Sequence, residues 1–356
     1  MTWTVAANRA ATARERCFRA VAICLTVLLS SCAGQQQSVI DPAGPQADRI
    51  ATLWWFFFWL LVAIFIIVMA LAVWTLTRPN RGLEQEPLEA RHRPSEQKET
   101  QLRRIVTGAT VLTIIILFVL LVFSVGTGKA VSELGNKNNG LAIEVTGNQW
   151  WWQVQYLNSD PSQILVDANE IHIPVGRPVL IRLRSNDVIH SFWVPNLHGK
   201  RDLIPSRVTA EWIEADKPGI YRGQCAEFCG LQHAHMILYV IAEPEAKFKA
   251  WFQHASQPAV TPSTPITQRG QQVFLNNACV YCHQIQGTTA AGQNGPNLTH
   301  FGSRRGIAAN TLSNTPGNLG GWILDPQTVK PGNHMATIAV NSQDLQPLID
   351  YLESLK

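Results

Sequence analysis

Cys225-Ala226-Glu227-Phe228-Cys229-Gly230-Leu231-Gln232-His233-Ala234-His235-Met236 packs two thiols, two imidazoles, a carboxylate and a thioether into twelve residues. Soft and borderline ligands at this density point to copper. Sulfur favours copper(I) and imidazole tolerates both oxidation states, which suits a site that cycles electrons without changing shape. Zinc has no need of the methionine. The chain has only four methionines: Met1 starts it, Met69 lies in an apolar run, and Met236 and Met335 each sit close to candidate metal ligands. A disulfide between Cys225 and Cys229 is the competing reading for an exported domain. It leaves Glu227, His233 and Met236 without a role, and it ignores His190 in the upstream run Asp187-Val188-Ile189-His190-Ser191-Phe192-Trp193.

The order of these residues resembles the dinuclear CuA centre of cytochrome c oxidase subunit II: a histidine on one loop, Cys-x-Glu-x-Cys, a histidine four residues on and a methionine three beyond that. The likeness extends from about Trp54 to Phe252. The resemblance implies that Cys225 and Cys229 are bridging thiolates and that His190 and His233 are terminal imidazoles. Met236 and the backbone carbonyl of Glu227 become weak axial ligands. His235 is then a bystander, since its spacing from Cys229 is wrong. The resemblance further implies that the Glu227 carboxylate reaches a magnesium ion at the boundary with subunit I, with the remaining ligands supplied by that other chain.

A chain of 356 residues is too long for one small domain, and its 46% apolar content is unevenly spread. The formal charge of +4, with no basic stripe interleaved with aromatics, gives no sign of a nucleic-acid partner. Arg9, Arg14, Arg16 and Arg19 precede an apolar run from Val21 to Leu29 and then Ser30-Ser31-Cys32-Ala33. That is the plan of a secretory signal peptide over 1–31. It resembles the lipobox of bacterial lipoproteins, which would make Cys32 the lipidated first residue of the mature chain and give it a lipid partner. An ordinary signal peptide cut elsewhere is the alternative.

Leu53 to Leu76 and Ile105 to Val125 contain no charged residue, and about twenty such residues cross a bilayer core of about 30 Å as helix. Trp54, Trp55 and Trp59 at one end of the first run and Trp74 at the other fit the headgroup levels. Residues 32–130 therefore read as a transmembrane hairpin. The connection carries Arg78, Arg81, Arg91, Arg93, Lys98, Arg103 and Arg104, so it is expected in the cytoplasm. Both termini then lie on the outer, periplasmic side of a bacterial inner membrane. The family's Glu-x-x-Trp-Thr-x-x-Pro run before the second helix is replaced here by Leu102-Arg103-Arg104-Ile105-Val106-Thr107-Gly108. Glu99 is the nearest acid, and it is given no role in proton uptake.

Beyond Ala130, β-branched runs at 141–145, 170–175 and 178–183 alternate with Gly, Pro and Asn breaks, the pattern of a Greek-key sandwich or barrel over 131–254. The resemblance implies an all-β cupredoxin-like domain. Three consecutive tryptophans, Trp150-Trp151-Trp152, cannot all face one core, because strand side chains alternate. On the family's register Trp150 is the residue through which the electron enters; core packing is its other reading.

Ala255 to Thr267 holds three prolines among small polar residues and reads as a semi-extended linker. Next comes Cys279-Val280-Tyr281-Cys282-His283, the attachment signature of a c-type haem: two thiols add to the vinyl groups and His283 binds iron. The flanking Gly295-Pro296-Asn297-Leu298, the run Lys330-Pro331-Gly332-Asn333-His334-Met335 and a closing amphipathic helix from Ser342 to Leu355 fit an all-α class I cytochrome c over 268–356. Met335 is the expected sixth ligand, with His334 its competitor.

The expected molecule is a multidomain membrane protein, subunit II of a haem-copper oxidase with a fused cytochrome c. It would take electrons from an upstream cytochrome or cytochrome bc complex onto its haem, pass them to CuA, and deliver them to subunit I, beside a subunit III. There oxygen would be reduced to water and protons moved. The CuA subunit of a nitric oxide reductase and a membrane-tethered copper carrier are the other readings.

Overall fold

The computed structural model describes residues 37–77, 96–133, 140–160 and 163–356. The expected signal peptide with Cys32 and the connection from 78 to 95 lie outside the described residues. Two long helices come first, α1 (Pro45–Thr77) and α2 (Glu96–Glu133). Both expected apolar spans lie inside them. The helices run several turns further, because helix geometry does not stop where the apolar run stops. Their central windows bury nothing within the chain, as expected of surfaces made for lipid. Phe56 and Phe123 meet with ring centroids 5.0 Å apart, so the start of α1 lies beside the end of α2.

The start of α1 is also tied to the next domain. Ala43 N–H donates to the Asn196 carbonyl at 2.7 Å and Asp216 N–H to the Ala43 carbonyl at 2.7 Å, and Ala43, Ala47 and Ala51 are buried. A Cβ at Gly44 would stand 2.1 Å from the Glu214 carbonyl oxygen, so only glycine allows the chain to pass this close. The hairpin therefore presents the open ends of both helices to the β domain.

That domain is a sandwich of two five-stranded sheets. The strands are β1 (Ala142–Asn148), β2 (Trp151–Tyr156), β3 (Leu165–Ala168), β4 (Glu170–Pro174), β5 (Val179–Ser185), β6 (His190–Trp193), β7 (Arg201–Leu203), β8 (Thr209–Ile213), β9 (Gly219–Cys225) and β10 (Ile237–Glu243). One sheet has the order β3-β2-β1-β5-β8 and the other β4-β10-β9-β6-β7. Alternation along β2 buries Trp152, Val154 and Tyr156 while Trp151, Gln153 and Gln155 face away. Ile143, Ile181, Phe192 and Leu238 close the same core. Helix α3 (Glu245–Ala255) caps one end, with His172 stacked on Trp251 at 3.9 Å.

The remaining chain builds a small helical domain from α4 (Pro265–Leu275), α5 (Cys279–Cys282), a two-stranded ribbon β11 (Gly306–Ile307) and β12 (Leu312–Ser313), α6 (Pro316–Leu324), α7 (Pro326–Val329) and α8 (Ser342–Ser354). Thr264 caps α4 in a reciprocal pair with Thr267. Where α4 crosses α8, a Cβ on Gly270 would stand 1.9 Å from the Pro347 carbonyl oxygen. Phe274, Tyr351 and Leu352 fill the core between them.

The linker differs from expectation. Ala255 still belongs to α3 and Pro265 already to α4, so only 256–264 is extended. Ala259 N–H donates to the Gln286 carbonyl, and Pro258 lies against Gly287. The segment therefore lies on the helical domain rather than hanging free.

Candidate metal and haem sites

The Cys225–Met236 loop connects β9 to β10, and His190 opens β6 beside it. Because β6 pairs with β9, with Phe192 opposite Cys225, the histidine and the first cysteine lie at the same pole of the sandwich. The Cys225 and Cys229 sulfurs stand 3.7 Å apart. His190 Nδ1 lies 3.8 Å from the Cys225 sulfur, and His233 Nδ1 lies 3.6 Å from the Cys229 sulfur. The Met236 sulfur is 3.9 Å from Cys229, and the Glu227 carbonyl oxygen is 3.2 Å from Cys225. All six expected donors thus converge. Hydrogen bonding from Cys229, then from His190, holds the Cys225 thiol down at about 4, and the remaining proton stays on Cys229. Metal binding would displace it.

Sequence reasoning overlooked Asp187. Its carboxylate accepts from His190 Nε2 at 2.7 Å and from the Gln149 N–H at 2.6 Å, which turns His190 Nδ1 toward the sulfurs. A carboxylate three residues before a candidate ligand histidine was the available signal. A Cβ on Gly147 would meet the His190 ring at 2.7 Å, so glycine makes room for that ring. His235 bonds Gln232 through Nδ1 at 2.8 Å and takes no part in the cluster. The Glu227 side chain is exposed.

Trp150 sits in the turn before β2, and only Trp151 and Trp152 alternate along the strand. Trp152 is fully buried in the sandwich core. Trp150 lies under the Cys225–Met236 loop, its indole nitrogen donating to the Cys229 carbonyl at 3.0 Å. Trp151 and Trp150 both line a cavity of about 330 Å³ that continues into the helical domain.

This cavity is where a haem would sit. Cys279, Cys282, His283 and Met335 line it, with Phe274 and Trp322 among the apolar walls. His283 Nδ1 donates to the Pro296 carbonyl at 2.8 Å, which leaves Nε2 free. Burial lowers the pKa of this imidazole against the pull of that carbonyl, favouring the neutral form that binds iron. A Cβ on Gly295 would stand 2.7 Å from the His283 ring. His334 also lines the cavity, but its ring leans toward Trp150 with centroids 6.3 Å apart.

The helical domain is docked on the β domain. Arg304 grips Asp167, with its Nε at 3.1 Å and a terminal nitrogen at 2.6 Å from one carboxylate oxygen. Arg305 N–H donates to Glu170 at 2.8 Å. The amine of Lys330, only 3% exposed, donates to the carbonyls of Trp150, His235 and Ala308. Burial pulls this ammonium down to about 7. A residue read only as part of the approach to Met335 is thus a bridge between domains. Its role was invisible in sequence, since its partners are all backbone atoms of distant residues.

Residues 157–243 match the family model of the periplasmic domain of cytochrome c oxidase subunit II, and residues 267–356 match that of cytochrome c. The chain is 34% identical over 345 residues to the cytochrome c oxidase subunit 2 of Alkalihalophilus pseudofirmus, covering 93% of this chain and 95% of that one. The chain belongs to the cytochrome c oxidase subunit 2 family. The subunit 2 of Bacillus sp. strain PS3 is 29% identical over 359 residues with the same coverage. The solved periplasmic domain of subunit II of cytochrome oxidase from Bradyrhizobium japonicum aligns at a TM-score of 0.31 and 29% identity, covering 33% of this chain and 94% of that one.

As a subunit 2, the chain is an electron-transfer component of a haem-copper oxidase and works with the catalytic subunit I. Its periplasmic domain implies copper and its cytochrome domain implies haem. The β sandwich is the cupredoxin-like element expected of this family, and the two apolar helices make the subunit a membrane protein.

Proposed function

We propose that the six converging donors hold a dinuclear CuA centre and that the neighbouring cavity holds a covalently attached haem c. Cys225 and Cys229 would bridge the coppers, His190 and His233 would bind one on each side, and Met236 and the Glu227 carbonyl would be axial. Cys279 and Cys282 would add to the haem vinyl groups, with His283 Nε2 and the Met335 sulfur on the iron. The observation that carries this reading is the pair of cysteine sulfurs 3.7 Å apart, each flanked by an imidazole nitrogen. When bound, the copper pair and the haem each supply a one-electron carrier.

The chain's own residues then position and insulate these carriers. Asp187 fixes the face that His190 presents, Pro296 does the same for His283, and the apolar walls keep water from the haem. Trp150, which bonds the Cys229 carbonyl and faces His334 of the helical domain, lies between the two sites. Trp150 is only 7% exposed with the cytochrome docked, so an external donor would reach it only through the haem domain. The cytochrome would thus work docked, held by Arg304, Arg305 and Lys330.

A second cavity, of about 570 Å³, opens beside Cys225 and His233 against Ile50 near the start of α1. We assign this side to subunit I, with the exposed Glu227 carboxylate offered to a magnesium ion at that boundary. Subunit III and an upstream cytochrome or cytochrome bc complex complete the assembly, which reduces oxygen and translocates protons. The redox domains lie on the periplasmic face of the inner membrane, with 1–31 removed and Cys32 lipidated. Mass spectrometry finding residues before Cys32, or an unmodified thiol there, would refute the last point.

The test of the main reading is the purified native complex. It should show the mixed-valence copper resonance and a c-type haem band that stays with this chain on a denaturing gel. In rapid mixing with the natural donor, haem c should be reduced before CuA. A copper centre that fills first, or a haem that dissociates, would sink it.

A further inference from the structure

Lys330 is placed where one side chain can set the gap between the two sites. Its ammonium has three protons and three acceptors: the Trp150 carbonyl at 2.7 Å, the His235 carbonyl at 2.8 Å and the Ala308 carbonyl at 3.1 Å. The first two belong to the β domain and the third to the cytochrome. A buried ammonium is costly unless every proton is bonded, so these acceptors hold it in one place.

The acceptors are not incidental residues. Trp150 bonds the Cys229 carbonyl through its indole, and His235 directly precedes Met236. On the other side, Lys330 opens the turn that leads to His334 and Met335. Gln232 Nε2 reaches the Pro331 carbonyl at 2.7 Å, and Gly332 lies against Leu231 and the Trp150 ring. Lys330 and Gln232 therefore tie the Cys225–Met236 loop to the loop carrying the expected sixth haem ligand.

We propose that Lys330 is a positioning residue for electron transfer from the haem site to the copper site, holding the Met335 loop against Trp150. This rests on the ligand assignment proposed above. Electron transfer needs overlap between donor and acceptor, so a small loosening of this junction slows it without changing either site. The Arg304–Asp167 pair joins the domains through residues other than those of this junction.

The test uses the assembled oxidase carrying Lys330→Met, of similar length without the charge, or Lys330→Gln, whose amide still donates. Photoreduction of haem c in a single turnover gives the transfer rate. Hydrogen exchange over 148–152 and 330–335 reports the junction independently. With K330M the optical and paramagnetic spectra should be unchanged, exchange should rise in both segments, and the rate should fall about tenfold or more. K330Q should lie between the two. Full-rate transfer in K330M with both spectra intact overturns this proposal alone, whereas a wild-type complex lacking the copper signal overturns the site assignment and this proposal with it. If K330M does not assemble, the wild-type rate decides. It should not change between low salt and about 1 M salt, where the Debye length is only about 3 Å. A rate falling about tenfold over that range means transient docking through exposed charges, and the positioning role fails.

Discussion

The Trp150 indole nitrogen donates to the Cys229 carbonyl at 3.0 Å, so the aromatic residue facing the cytochrome is bonded to the loop that carries Cys225, Cys229, His233 and Met236. The same carbonyl also receives Gln149 Nε2 at 2.8 Å. Trp150→Phe should therefore leave the loop anchored and the copper resonance unchanged. Transfer from haem c to CuA should slow by about tenfold or more, because the bonded contact between the sites is gone. A flash-reduction rate equal to wild type would remove Trp150 from the route.

Both sulfurs of the Cys225–Cys229 pair are shared by the same cluster, and each has its own imidazole. Cys225→Ser should abolish the mixed-valence resonance rather than weaken it. Met236→Leu should keep the resonance and shift the potential, since an axial thioether tunes more than it anchors. Electron paramagnetic resonance of the two variants checks both statements. A copper signal surviving at full strength in the serine variant would contradict the bridging role.

Met335→Leu should lower the haem midpoint potential and open the sixth position, because a methionine and histidine pair raises the potential of a c-type haem. The haem should stay attached, since Cys279 and Cys282 are untouched. His334→Ala should alter the potential little. Redox titration of the haem band distinguishes the two ligands, and a large fall in the histidine variant alone would reassign the site to His334.

Glu170, at the docking interface, is 4% exposed. Burial, then repulsion from Asp167, raises its pKa from 4.5 to about 7 against the Arg305 N–H bond and the charge of Arg304. The folded state thus binds this proton more tightly than the unfolded state. Its contribution is fully present below about pH 4.5 and is lost as pH rises through about 7. It amounts to roughly 3 kcal/mol at most. Thermal unfolding of the β domain, followed by its tryptophan fluorescence, should show stability falling between about pH 4.5 and about pH 7. Glu170→Gln should flatten that slope. An unchanged slope would mean that another group carries it.

Which residues could serve as ligands was legible in the chain, because metal chemistry restricts them to a few side-chain types at short spacing. Cys225, Cys229, His233 and Met236 are local to one loop, as are Cys279, Cys282 and His283, and no tertiary contact was needed to find them. The apolar spans were equally plain, since a lipid-facing helix carries its signal in composition. Strand alternation foretold that Trp150, Trp151 and Trp152 would part company, though not which went where.

Tertiary structure alone decided how the parts meet. The proline-rich segment read as a semi-extended linker because composition reports stiffness and not contact, and its docking on Gln286 and Gly287 involves residues further along the chain. Asp187 reaches His190 within three residues of chain, but the Gln149 N–H that holds the same carboxylate comes from the distant turn between β1 and β2. Lys330 became a bridge because three carbonyl oxygens converge on it from Trp150, His235 and Ala308. Backbone acceptors exist at every residue and leave no mark in the sequence, so folding alone determined that these three would surround one buried ammonium.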